Sequence, residues 1–247
     1  MRVPKRVAMA KKEIFFDGVS YAISYEFLNL EAEKTLVFLH GWGSSKTIMK
    51  QAFGTTLPKY KHLYIDMPGF GSSSIEKPLN THDYASIMAL LFEALGIEPY
   101  AIVGHSFGGK VATLLEPKRM ILLSSAGILV SKSLSVRAKI AFFKTFKSFV
   151  PKRFFYLFAS KDVAGMSQVM YETLKNVVNE NFKEIFGASK AKTAIFWGID
   201  DDATPLSSGR MIHQLISNST FFPLEGGHFF FLEKAKTIEQ KLFELDY

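Results

Sequence analysis

The sequence predicts an α/β domain built on a mainly parallel sheet. Three observations predict it. Six short apolar runs read as strands buried on both faces, helical patterns lie between them, and 247 residues suit one domain of this class. The expected sheet has eight strands with helices on both faces.

The chain opens with a hairpin signal. Asp17-Gly18 separates Ile14 to Phe16 from Val19 to Phe27, and the alternation of the second segment predicts an exposed-edge strand in an antiparallel start. The buried strands follow as Thr35 to Leu39, His62 to Ile65, Tyr100 to Val103, Met120 to Leu123, Thr193 to Trp197 and Ser219 to Phe222. Between the second and third, Tyr84, Ile87, Met88, Leu91, Phe92 and Leu95 recur at helical spacing over Thr81 to Leu95, and Gly96 ends the helix. The helix over Lys110 to Glu116 is short because Pro117 stops it. After Gly127 about sixty Lys- and Phe-rich residues intervene before the next strand, too many for a loop. The predicted organisation is therefore one domain, 1–247, with a core of 13–127 and 193–247 and a helical insertion at about 128–192.

Composition excludes several classes. Hydrophobic residues at 48% and charged residues at 21% exclude a disordered or low-complexity chain. The absence of cysteine excludes disulfides, thiolate catalysis and cysteine-bound metals; six scattered histidines carry no ligand spacing, so neither metal nor cofactor is expected. The first twelve residues are basic without the apolar stretch of a secretory signal, which predicts a cytoplasmic protein. The net charge of +7 is local. Ala126 to Lys192 holds ten Lys and two Arg against one Asp and three Glu, an excess of +8, and no nucleic-acid-binding module accompanies it.

Four segments at strand ends carry chemistry, where open α/β sheets place their sites. Gly104-His105-Ser106-Phe107-Gly108-Gly109 is a G-x-S-x-G between a strand and a helix, a turn sharp enough to require small residues at Gly104 and Gly108. Leu39-His40-Gly41-Trp42-Gly43 ends another strand, and the amides of Trp42 and Phe107 are the expected pair for an oxyanion. Asp200, Asp201 and Asp202 follow a third strand; one can orient an imidazole, and the others form a solvated turn capping a helix from Leu206. His228, after Gly226-Gly227, sits on a loop able to lean over the sheet. His40, His62, His82, His105 and His213 are read as structural or exposed.

These segments, with Asp66-Met67-Pro68-Gly69-Phe70-Gly71-Ser72, resemble the α/β-hydrolase superfamily, specifically its capped serine hydrolase and carboxylesterase branch. The resemblance implies an acid three residues after the Gly of G-x-x-D-x-x-x-P, so Gly198 and Pro205 point to Asp201. It makes Met120 to Leu123 the sixth strand and the insertion a helical cap. One departure is the brevity of the helix after Ser106.

The expected function is hydrolysis of a carboxylic ester or thioester through an acyl-enzyme on Ser106, with His228 as base and Asp201 as its orienting acid. Gly41, Phe143, Phe146, Arg137 and Arg153 are the expected pocket residues. The basic cap suggests an anionic or carrier-bound acyl substrate and an acidic acyl-carrier protein as partner. RAKIAFFKTFKSF also has the character of a surface helix on a membrane, a reading not adopted. Two alternatives stay open: a carbon-carbon bond hydrolase of vinylogous diketones, which usually carries Asn where this chain has His105, and a non-catalytic small-molecule receptor.

Overall fold

The computed structural model describes residues 10–129 and 166–247. Its elements are β1 (Ala10–Phe16), β2 (Val19–Leu28), β3 (Thr35–Leu39), α1 (Lys46–Phe53), β4 (Lys61–Ile65), α2 (Thr81–Ala94), β5 (Pro99–His105), α3 (Phe107–Leu114), β6 (Arg119–Leu123), α4 (Gln168–Val177), α5 (Lys183–Ala188), β7 (Lys192–Gly198), α6 (Leu206–Leu215), β8 (Ser219–Leu224) and α7 (Phe231–Glu244). The eight strands form one sheet in the order β1-β2-β4-β3-β5-β6-β7-β8. All pairings from β4 to β8 are parallel, whereas β2 runs antiparallel to both β1 and β4.

The apolar runs become strands because helices cover both sides of them. Every residue of β3 is buried. One face carries Leu36, Phe38 and Tyr64 against Met49 and Phe53 of α1 and Phe231, Ile238 and Leu242 of α7. The other carries Val37, Leu39 and Ile195 against Tyr84 and Leu91 of α2, Val111 of α3 and Ile212 of α6. The edge expectation for Val19 to Phe27 needs correction: β1 takes the edge and β2 is paired on both sides. Its alternation reports one wetter face, since a strand can alternate without lacking a neighbour.

Local chemistry fixes the helix starts. Asn80 and Asp83 form a reciprocal capping box at α2, satisfying two otherwise orphaned N–H groups. The expected acidic cap of α6 is corrected, because Pro205 is its N-cap residue and no side chain bonds there. At α1 the buried Lys46 Nζ donates to Asp66 Oδ2 at 2.5 Å and to Ser24 Oγ at 3.0 Å, while its backbone N–H donates to Asp66 Oδ1 at 2.7 Å. Ser72 N–H bonds the same carboxylate at 2.9 Å. Asp66 thereby ties the turn after β4 to the loop that follows β3.

The expected cap residues Arg137, Phe143, Phe146 and Arg153 lie outside the described residues. The end of the insertion does not stand apart from the core, because Val177, Phe182 and Phe186 join the same buried cluster as α2 and α3. A buried ion pair locks it there. Lys110 Nζ, on α3, donates to Val177 O at 2.7 Å and Glu180 Oε2 at 2.5 Å, and lies 4.7 Å from the Phe182 ring centroid. Burial lowers the pKa of the ammonium and the bond from Lys110 to Glu180 opposes that shift. Lys110→Met removes the cation paired with Glu180, leaving the carboxylate only its bonds from Thr81 N–H and Oγ1, and is expected to cost about 1.5–3 kcal/mol. Since 1 kcal/mol moves the midpoint of such a chain by roughly 2–4 °C, thermal unfolding should fall by several degrees, and Lys110→Met/Glu180→Gln, which removes the unpaired charge yet keeps an acceptor for Thr81, should recover part of the loss.

Candidate active site

Ser106 sits on the sharp turn between β5 and α3. Its backbone is strained, at φ 50° and ψ −114°, a region that non-glycine residues enter at a cost of order 1–3 kcal/mol. The turn is held from both sides: Ser106 N–H donates to Leu123 O at 3.1 Å, and Ser106 O accepts from Gly109 N–H and Ala126 N–H, each at 3.0 Å. The two flanking glycines are required by close approach. A Cβ on Gly104 would lie 2.5 Å from Gly108 O, and one on Gly108 would lie 2.4 Å from Leu39 O. Ser106 is half-buried and opens onto a cavity of about 220 Å³, whose wall includes Trp42, Phe107, Leu174, Val177 and Thr204.

The loop after β3 lies beside this turn. The buried His40 fixes it, donating from Nδ1 to Gly41 O at 2.8 Å and accepting from Met67 N–H at Nε2, 3.1 Å away. Burial pushes its pKa down to about 4, so this tautomer stays neutral at working pH. The Trp42 ring meets Phe107 edge-on at 5.6 Å. Neither the Trp42 nor the Phe107 backbone N–H has an acceptor among the described residues, and both residues flank the cavity. Gly41 is buried, and a Cβ there would come 3.1 Å from Ser106 Cβ.

Burial separates the three aspartates. Asp200 and Asp202 are exposed, while Asp201 is 4% exposed. Asp201 Oδ1 accepts from Ala203 N–H at 2.9 Å and Thr204 N–H at 2.8 Å. Asp201 Oδ2 accepts from Thr204 Oγ1 and from His228 Nδ1, each at 2.8 Å. Burial alone would raise this carboxyl; the hydrogen bonds from His228 and Thr204 N–H outweigh it and bring the pKa down to about 2. An ionised acceptor on Nδ1 leaves Nε2 of neutral His228 as the unprotonated nitrogen. Ser106 Oγ and His228 Nε2 make no hydrogen bond to each other in this structure.

Three residues support this arrangement that were not among the expected site residues. Thr204 donates its hydroxyl to Asp201 and lies 3.3 Å from His228 Nδ1. Ser124, just past β6 with φ 44°, accepts from Gly198 N–H at its Oγ, 3.4 Å away, and from the Thr204 hydroxyl at its backbone O, 3.2 Å away, which holds the neighbouring strand end that bears Asp201. His105 donates to His228 O at 3.0 Å. Of these only Thr204 had a findable cue, as a hydroxyl three residues beyond a carboxylate at a turn. His82 and His213 are exposed, and His40, His62 and His105 are buried. Among the described residues no cluster of His, Asp or Glu could hold a metal, and no helix is long and apolar enough to cross a membrane.

Comparison with known proteins agrees with the fold. Residues 36–240 match the model of the alpha/beta hydrolase family. The uncharacterized hydrolase YugF of Bacillus subtilis is 22% identical over 268 aligned positions, covering 92% of this chain and 94% of its own. The pimeloyl-acyl-carrier-protein methyl ester esterase of Legionella pneumophila is 35% identical over 88 residues, 34% of each chain. The solved esterase of Exiguobacterium antarcticum superposes with a TM-score of 0.71 at 19% identity, covering 92% of this chain and 96% of that one. With the family model spanning most of its length and its eight-stranded sheet in place, the chain belongs to the alpha/beta hydrolase family.

Proposed function

We propose that the protein is a serine hydrolase that cleaves carboxylic esters or thioesters through an acyl-enzyme on Ser106. The observation that carries this reading is the commitment of His228 Nδ1 to the buried, ionised Asp201, beside a strained Ser106 that opens onto a cavity. In this reading Ser106 Oγ attacks the acyl carbon as its proton passes to His228 Nε2. The carbonyl oxygen becomes an oxyanion held by the amides of Trp42 and Phe107, a donor worth about 2.7–4 kcal/mol each in comparable sites. Collapse expels the alcohol or thiol, protonated by His228. Water, deprotonated by the same imidazole, then releases the acid and restores Ser106. The Ser106–His228 bond forms as substrate settles, since such contacts often tighten only in the complex.

Leu174, Val177 and Val178 give the described cavity wall an apolar character, and its one ammonium, Lys110, is paired with Glu180. The described wall therefore suits an uncharged acyl chain. Attraction of an anionic or carrier-bound substrate falls instead to the basic residues between 130 and 165. The Legionella esterase, named for an ester on an acyl-carrier protein, supports keeping an acidic carrier protein as the proposed partner.

The test is hydrolysis of p-nitrophenyl esters from acetate to decanoate by wild type and Ser106→Ala, with the site of fluorophosphonate labelling found by mass spectrometry. Label on Ser106 and turnover lost in Ser106→Ala are expected. Equal turnover in both proteins would overturn the reading.

A further inference from the structure

His105, the residue before Ser106, occupies a place that the proposed chemistry leaves unused. It is 1% exposed and wedged between the two loops that flank the serine. On one side its Nε2 lies 3.0 Å from His228 O and its ring centroid 4.7 Å from that of His228. On the other, Gly41 presses so close that a Cβ there would come within 2.9 Å of His105 Nδ1. Phe229 and Phe231 close the remaining sides, with ring centroids 5.1 Å and 4.7 Å away.

The hydrogen bond fixes the tautomer. A carbonyl oxygen only accepts, so the Nε2 facing His228 O carries the proton, and Nδ1 is left as a buried acceptor without a partner. Such an orphan costs free energy, and a Phe or Leu would fill the volume without that cost. What the imidazole adds over an apolar ring is one N–H aimed at the backbone of the loop bearing His228. Burial, reinforced by the neighbouring His228, holds the His105 pKa near 3, so it stays neutral while His228 gains and loses its proton.

We propose that His105 is a positioning residue: its Nε2–H, by holding His228 O, sets the reach of the His228 ring toward Ser106, and its ring sets the spacing to the Gly41-Trp42 loop. The backbone of Ser106 is already tied to β6 through Leu123 O and Ala126 N–H, so the nucleophile's position does not depend on His105. The His228 loop is tied to the end of β7 where Gly226 O accepts from Asp200 N–H at 3.0 Å, but at His228 itself the carbonyl's partner among the described residues is His105. This inference rests on the reading of His228 as the base.

The test compares three variants. His105→Gln keeps an N–H at the reach of Nε2, His105→Phe keeps the ring without a donor, and His105→Asn places its amide short of His228 O. For His105→Phe and His105→Asn, kcat on the preferred p-nitrophenyl ester should fall up to about 100-fold, the scale of a 1 Å misplacement, with KM nearly unchanged. His105→Gln should restore most of it. Amide hydrogen exchange across 225–230, read on the same proteins, should quicken in the first two and return to wild type in His105→Gln. Wild-type kcat and exchange in His105→Asn, or His105→Gln no better than His105→Phe in either readout, would overturn the proposal and leave His105 a packing residue. His228→Ala is measured alongside: wild-type turnover there would sink the base assignment, while the exchange comparison would still decide whether His105 holds the loop. Should His105→Phe fail to fold, the comparison of Asn with Gln decides alone.

Discussion

Asp201→Asn is expected to lower kcat by roughly 10⁴-fold, whereas Asp200→Asn and Asp202→Asn should turn over at close to the wild-type rate. The size of the effect follows from which atoms the amide can replace. Asp201 Oδ1 faces two backbone N–H groups, and an amide must keep its oxygen there. Its NH₂ then faces His228 Nδ1 and the Thr204 hydroxyl where Oδ2 stood. Two donors cannot face each other, so His228 shifts its proton to Nε2 and loses the lone pair that would take the Ser106 proton. The carboxylate charge that stabilises the imidazolium is lost as well. Asp200 and Asp202 contact neither ring nor cavity and point into solvent. Steady-state hydrolysis by the three variants, with circular dichroism to establish that each is folded, checks the expectation. Comparable activity in Asp201→Asn and wild type would remove Asp201 from the mechanism.

That one aspartate of three stands out in the structure shows where sequence reasoning was sufficient and where it was not. Strands buried on both faces announce themselves as apolar runs, so β3 matches its expected bounds and β4 to β8 differ only by a residue or two at their ends. Ser106 was legible because its turn needs glycines on both sides, a local demand written in five adjacent residues. Asp201 was chosen through a spaced motif, since chemistry alone does not rank three adjacent carboxyls; burial and four donors do. The sheet edge was misplaced because alternation reports wetness rather than pairing. Two helices, α1 and α7, were not anticipated: α1 is only eight residues long, and the spacing of Phe231, Ala235, Ile238 and Leu242 follows directly on the glycine-rich loop that drew attention to His228. The contacts of Ser124 with Gly198 and Thr204 and of His105 with His228 join residues far apart in the chain, and no local pattern encodes such a meeting.

Below about pH 6.5 the folded protein is expected to lose stability steeply, because three histidines are buried neutral. Burial brings His40 and His62 down to about 4 and His105 to about 3. Each ring nevertheless keeps a hydrogen-bonded nitrogen, on Gly41 O, Leu57 O and His228 O respectively. In the unfolded chain these rings return to an ordinary value near 6.5. The folded values are depressed, so their contribution is fully present above pH 6.5 and is lost as pH falls toward 3 to 4, where the unfolded state alone has taken up protons. Three protons correspond to a slope of roughly 4 kcal/mol per pH unit, and the whole window to a loss on the order of 10 kcal/mol. That matches the entire stability of an ordinary domain, about 5–15 kcal/mol, so acid unfolding should come before these rings protonate in place. Asp201 adds the same sign lower down, its contribution vanishing between its ordinary range and about 2. Denaturant titrations at pH 7.5, 6 and 5 measure the slope, and equal stability at pH 7.5 and 5 would refute it. His62 offers the internal control, since it bonds Tyr64 and Leu57 on the face of the sheet away from Ser106. His62→Gln should flatten the slope by about one proton, roughly 1.4 kcal/mol per pH unit, while leaving ester turnover unchanged.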